Sequence, residues 1–240
     1  YATSYEIDEL LKVSHPARVK IRGIKQDSWM EDMKADQKVN IQYASKYFGS
    51  SNYWKKFSGE KIGLEKLNVA AEKKEIEDQF ARWINGDPSR KSKYGEALSL
   101  IKTSLEGRAD YYSANIYLSE CFAQGSELLS FNQIATALIN SIKAGDNTKT
   151  ADLAANIKNR VEAIYKDYNP PTDRKTMKLM LKLYRDDVPV RFQPDFYVNV
   201  VDKKFKGSID RFVDDMFAKS IFADPSKLNA FLNKPVLKVL

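Results

Sequence analysis

Apolar residues recur at helical spacing along almost the whole chain, and few residues are present that could turn a sheet. Between Val69 and Ile84 they fall at Val69, Ile76, Phe80, Trp83 and Ile84. Glu72, Lys73, Lys74, Glu77 and Asp78 fill the gaps, which is the i, i+4, i+7 pattern of an amphipathic helix with a charged outer face. Met177, Met180, Leu181, Tyr184 and Val188 repeat it before Pro189, and Tyr94, Leu98, Ile101 and Leu105 do so before that. Only 10 of 240 residues are Gly and 8 are Pro, whereas sandwiches and barrels need a turn every about ten residues. The pattern predicts an all-α chain of roughly ten helices, read as a single all-α domain over 1–240.

Punctuation sets the expected helix ends. Ser14-His15-Pro16 is expected to separate a short first helix from a long one through about Met33. Asp36 is placed to cap the next, and Gly49-Ser50-Ser51 to break it, with a further helix from near Asn52 to Leu67. Asn85-Gly86-Asp87-Pro88 stops the helix before it, with Gly at the C-cap and Pro just beyond. Gly125-Ser126, Gly145-Asp146 and Asn169-Pro170-Pro171 mark later breaks. Asp224-Pro225 is a cap followed by a first-turn proline. The loop at 85–91 and the proline pair at 170–171 are the places where subdomains would divide. Phe196–Val201 reads equally as a strand or a buried helix.

Composition excludes several classes. The apolar fraction of 43%, with Phe 12, Tyr 13 and Trp 3, rules out a disordered chain. A single cysteine, Cys121, rules out an internal disulfide framework. No apolar run is long enough to span a bilayer. The formal charge of +7 comes from short clusters, Lys55-Lys56, Arg90-Lys91-Lys93 and Lys203-Lys204-Lys206. Carboxylates sit beside each, so a mixed solvated surface is expected rather than a nucleic-acid stripe. The sequence opens at Tyr1 without an initiator Met and closes at Val236-Leu237-Lys238-Val239-Leu240, and reads as a piece of a longer protein.

Catalytic chemistry is hard to assemble from these residues. A Ser-His-Asp triad would have to use the one histidine, His15, and His15 stands at a helix junction where a turn or cap role is expected. Cys121 lies in an apolar run with no basic neighbour to lower its pKa, so a buried structural thiol is expected. One histidine does not supply the two Glu-x-x-His pairs of a helical di-iron site. Glu72 and Glu75 share a helix face beside Lys73 and Lys74, which predicts an ion-paired surface. Asp186-Asp187 and Asp214-Asp215 are adjacent carboxylates that point to different faces. No metal, no cofactor and no catalytic residue is expected in this stretch.

One segment stands apart. Residues 41–56 gather Tyr43, Tyr47, Phe48, Tyr53 and Trp54 around the expected helix break, with Asn52 where the chain would restart. Asn52 is open to two readings, an N-cap or a polar group held on aromatic packing beside a cleft. Gln42-Tyr43-Ala44-Ser45-Lys46-Tyr47, Ser51-Asn52-Tyr53-Trp54-Lys55, Gly63-Leu64 and Lys66-Leu67 resemble the serine exopeptidases of peptidase family 46, the bacterial dipeptidyl-peptidases 7 and 11. Thr3-Ser4-Tyr5, Phe80-Ala81-Arg82-Trp83, Phe222-Ala223-Asp224-Pro225 and Phe231-Leu232 fit the same pattern.

The resemblance implies that this chain is a helical domain inserted into a chymotrypsin-like double β-barrel, which carries the triad and the specificity pocket. It implies a cap over the active-site cleft, inactive when excised. Asn52 would help bind the α-ammonium of a peptide substrate with a free N-terminus, while Tyr43, Tyr47 and Trp54 pack. It further implies a periplasmic, cell-surface or secreted bacterial enzyme, a homodimer when full length, and no nucleic-acid partner. The competing reading is a free-standing basic α-helical module for nucleic acid or a protein partner. Circular dichroism should report a mainly helical chain that unfolds cooperatively; a strand content above about one fifth, near the globular average, would overturn the fold assignment.

Overall fold

A computed structural model describes residues 2–235, so the Val236–Leu240 tail lies outside the described residues. Among the described residues, thirteen α-helical segments and three π-helical turns account for most of the chain, and no strand occurs. The chain is all-α, as its periodicity predicts. Its residues divide into two compact units, 1–23 with 49–118, and 24–48 with 119–240. Two divisions fall inside helices and the third at 118/119, none at 85–91 or 170–171, because proline and glycine punctuate single elements while a unit is defined by which elements bury one another.

The first unit opens with α1 (Ser4–Glu9), then a π-helical turn (Leu10–Ser14) and α2 (His15–Ala35), whose residues up to Gly23 belong here. Thr3 caps α1 in a reciprocal box: its hydroxyl accepts from the Glu6 N–H, and the Glu6 carboxylate accepts from the Thr3 N–H at 2.7 Å. The expected break at Ser14-His15-Pro16 is absent. His15 N–H donates to the Leu10 carbonyl, five residues back. That wider turn makes room for Pro16, whose ring would meet the fourth carbonyl behind it in a regular α-helix. The expected break at Gly49-Ser50-Ser51 is absent too. Helix α3 runs without interruption over Gln37–Lys66. Glycine inside a helix costs about 1 kcal/mol, a small term beside the packing of Tyr43 before it and of Tyr53 and Phe57 against Arg22 and Arg18 beyond it.

Asn68, in the left-handed conformation at φ 50°, joins α3 to α4 (Val69–Asn85). α5 (Pro88–Tyr94) starts on Asp87, whose carboxylate accepts from the Ser89 and Arg90 amides. α6 (Ala97–Leu118) completes the unit. Helix α4 departs from its expected orientation. Glu77, read from the sequence as a solvated charge, is 3% exposed. Its two oxygens accept from the Ser4 N–H and the Ser4 hydroxyl, each at 2.6 Å. A carboxylate at the first turn of α1 satisfies an amide with no helical partner and meets the positive end of the helix dipole. Ile76 and Trp83, expected in a core, remain 42% and 48% exposed.

The second unit takes α2 from Ile24, where Trp29, Met33, Val39 and Tyr43 cluster and Tyr47 packs against them. The rest is a π-helical turn (Ser119–Ala123), α7 (Glu127–Ser130), α8 (Asn132–Lys143), α9 (Asn147–Lys166) and α10 (Pro170–Asp187). A second π-helical turn here (Tyr197–Asp202), α11 (Lys203–Phe205), α12 (Ile209–Lys219) and α13 (Pro225–Asn233) follow. The ambiguous Phe196–Val201 stretch is therefore helical. Caps fall where the sequence puts them: Asp36, Asp146, Asn169 and Asp224 each accept from amides in the following first turn. Gly125 is obligatory, since a β-carbon there would lie 1.7 Å from the Cys121 carbonyl oxygen. Cys121 is buried, and burial pushes its thiol up to about 12.

Asp173, 1% exposed, holds this unit's polar centre. Its carboxylate accepts from the Glu127 and Leu128 amides at 2.8 and 3.0 Å, and from the Tyr168 hydroxyl at 3.3 Å. Burial outweighs those donors and raises its pKa to about 6. A folded pKa above the unfolded one, about 3.9, means that this group's stabilising contribution is full below about pH 4 and is lost as pH rises through 6. A shift of about two units corresponds to roughly 3 kcal/mol. The unfolding free energy of wild type, minus that of Asp173→Asn, should fall by this order between pH 4 and 7. A difference flat in pH would show an ordinary carboxylate.

Candidate functional site

The site singled out by sequence lies on the second half of α3. Here α2 and α3 run antiparallel in the first unit, in a register that puts residue 22 against 53 and residue 18 against 57. The Arg22 guanidinium lies 5.1 Å from the Tyr53 ring centroid and 6.0 Å from that of Phe57, and Arg18 lies 5.1 Å from Phe57. Cations over aromatic faces attract through the ring quadrupole, more so where water is excluded, and Arg22 is buried. The Trp54 indole nitrogen packs beside Gly23, where an added β-carbon would meet it at an ordinary contact distance of 3.5 Å. His15 stacks obliquely on Phe57 at 5.5 Å, with Nε2 3.3 Å from a Glu60 carboxylate oxygen. Neither ring nitrogen has a hydrogen-bond partner, and burial lowers the His15 pKa. His15 is thus a buried helix-interior residue, not the turn or cap residue expected.

Asn52 stands on the opposite, solvent-facing side of this packed face. It lies in the interior of α3 and is exposed, so the N-cap reading is overturned: there is no helix start for it to cap. Its side chain forms no hydrogen bond within the unit and stays available on a backbone fixed by its neighbours. Lys55, three residues on, shares its face and is also exposed. Lys56 pairs loosely with Glu60 at 3.8 Å. The immediate surroundings of the Asn52 amide are therefore cationic, and a bound ammonium here requires a carboxylate supplied from elsewhere.

The first half of the segment, Gln42–Tyr47, does different work in the second unit. The Tyr43 hydroxyl donates to Glu127 at 2.8 Å, and Lys46 pairs with the same carboxylate at 2.7 Å and also reaches the Asp167 carbonyl. The Gln42 amide donates to the Tyr168 carbonyl at 3.2 Å and accepts from Asn169. Tyr43 and Tyr47 are packing residues, in keeping with the expectation for them. The Glu127–Asp173 pairing was not legible in sequence; the residues lie 46 apart and carry no local signal. Among the described residues no three His, Cys, Asp or Glu side chains gather to hold a metal ion. Asp214 and Asp215, one candidate pair, turn apart to Lys178 at 2.6 Å and to Lys219 at 2.6 Å.

The family description peptidase S46 matches residues 1–239 of this sequence. The chain belongs to the peptidase S46 family. A dipeptidyl-peptidase 7 of Porphyromonas gingivalis is 37% identical over 232 residues, covering 97% of this chain and 31% of the relative. An Asp/Glu-specific dipeptidyl-peptidase of Flavobacterium psychrophilum is 29% identical, covering 99% and 33%. Among solved structures, Porphyromonas endodontalis DPP11 superposes with a TM-score of 0.79 at 26% identity, covering 98% of this chain and 33% of that one. The same protein in complex with the dipeptide Arg-Glu gives 0.78 at 25% identity. The S46 chain therefore spans about a third of the length of these relatives.

The position of Asn52 fixes the sign of one measurement. Alanine is the better residue in a helix interior, by up to about 0.7 kcal/mol. Asn52→Ala should therefore leave the melting temperature unchanged or raise it slightly. A loss of about 1 kcal/mol, as for a deleted cap, would contradict a continuous α3.

Proposed function

We propose that this chain is the helical cap of a serine dipeptidyl-peptidase, covering the active-site cleft and gripping the free N-terminus of the peptide. Family membership and the dipeptidyl-peptidase relatives support the activity. The one-third coverage of those relatives supports a part that works with a larger remainder. In this reading the triad, the oxyanion hole and the pocket for the residue before the cleaved bond belong to the remainder, a double β-barrel. The cap by itself is inactive. The full enzyme is a homodimer, exported to the periplasm, the cell surface or beyond, with no nucleic-acid partner.

The observation that carries the assignment of Asn52 is an unpaired amide, exposed on a helix whose other side is packed by Arg18, Arg22, Tyr53 and Phe57. An α-ammonium entering a cleft loses water from three N–H donors and needs acceptors in its place. The Asn52 carbonyl is one that does not titrate. The exposed Lys55 beside it opposes a lone cation, so the second acceptor is a carboxylate of the barrel that offsets both charges. Holding the ammonium at a fixed distance from the nucleophile makes the enzyme release residues in pairs.

In the full-length enzyme, Asn52→Ala removes the acceptor and leaves the packing. A hydrogen bond to a charged group contributes about 1.5–3 kcal/mol, so kcat/KM should fall roughly 10- to 150-fold. N-acetylated peptides lack the charge, should be poor substrates of wild type, and should lose little more on mutation. Unchanged kcat/KM on free peptides would remove Asn52 from the site.

A further inference from the structure

The first unit carries an apolar groove between α4 and α6, lined by Ile76, Phe80, Ala97, Leu98 and Ile101 and about 310 Å³ in volume. Ile76 and Ile101 are 42% and 38% exposed, and Trp83 extends the strip at 48%. Contiguous apolar surface of this kind marks an interaction face more often than a bare one. The polar groups at its floor are already engaged. Thr3 is tied into the cap of α1 with Glu6, and both Glu77 oxygens accept from Ser4. A small polar ligand would find nothing to orient it, whereas an apolar ridge would lose nothing.

Charge narrows the occupant. Near the Trp83 end of the strip stand Arg90, Lys91 and Lys93 with Asp87, while Arg82 is paired with Glu75 at 3.1 Å and Glu96 adjoins the groove residue Ala97. Arg90 lies over Trp83 at 4.6 Å and Lys93 over Tyr94 at 5.2 Å, so cations border the aromatic strip directly. An apolar ridge with a carboxylate near its Trp83 end fits that arrangement. Relatives are about three times as long as this chain, which covers 31% and 33% of them, so such a surface is at hand in the same polypeptide.

We propose that the α4–α6 groove is where the remainder of the longer polypeptide seats on this helical part. The proposal rests on the reading of the chain as one part of a larger peptidase, but its test needs no activity. Ile76→Cys and Ile101→Cys, each in the full-length protein, are labelled with a neutral maleimide beside Thr103→Cys, an exposed position on the same helix. The parent protein sets the background, to which the buried Cys121 thiol adds little. A seated groove should slow both variants by at least about tenfold relative to Thr103→Cys, at every protein concentration, since labelling then needs a local opening. Labelling as fast as Thr103→Cys would overturn the proposal. Protection that disappears on dilution to the monomer would overturn it in favour of a second copy. Asn52 takes no part in the measurement, so loss of the ammonium-binding role leaves this result standing, and the reverse holds too.

Discussion

The placement of Asn52 depends on α3 remaining one helix through Gly49. Thirty residues at about 1.5 Å each make an element of about 45 Å, and its continuity decides what Asn52 is. With a break at 49–51 the amide would be spent on the backbone of a new first turn. Without one, it projects from a helix interior with nothing to satisfy inside the fold. Two sets of contacts hold the helix, one on each side of Gly49. Before it, Gln42, Tyr43 and Lys46 hydrogen-bond or pair with the ends of α7, α9 and α10. Beyond it, Arg18 and Arg22 stack on Phe57 and Tyr53. Each set exceeds in reach what a single glycine costs.

Three of the buried charges, Glu77, Asp173 and Lys25, follow one rule. Glu77 serves an amide at the start of α1, Asp173 serves two at the start of α7, and the Lys25 ammonium donates to the Gln124 carbonyl at 2.7 Å, just past a π-helical turn. Anions sit at helix beginnings and a cation at a helix end, where unsatisfied backbone groups and the helix dipole both favour them. Such groups fix which helix end goes where, because a misplaced end would leave both a charge and an amide without partners. This is how short elements such as the six-residue α1 and four-residue α7 hold their place.

These structural charges and the proposed functional ones are kept apart. Asp173, Glu77 and Lys25 are consumed by backbone groups, and Arg18 and Arg22 by aromatic rings. What faces outward on α3 is an uncharged amide with a lysine beside it. A non-titrating acceptor presented by a rigid element is suited to positioning a substrate and not to proton transfer.

The sequence by itself determined the all-helical class, most helix ends and the inert burial of Cys121. These rest on local physics: apolar spacing of 3.6 residues, a carboxylate or amide capping the next two or three amides, and a proline admitted in the first turn. Tertiary structure alone decided that Gly49 and Pro16 would not end their helices, that Glu77 and Asp173 would be buried, and that Ile76 and Trp83 would not. Those outcomes turn on partners far away in the chain, 73 residues for Ser4 and Glu77 and 46 for Glu127 and Asp173. A helix breaker states a local preference of about 1 kcal/mol for glycine and about 3 kcal/mol for proline. Whether that preference prevails depends on a neighbour that no local window contains.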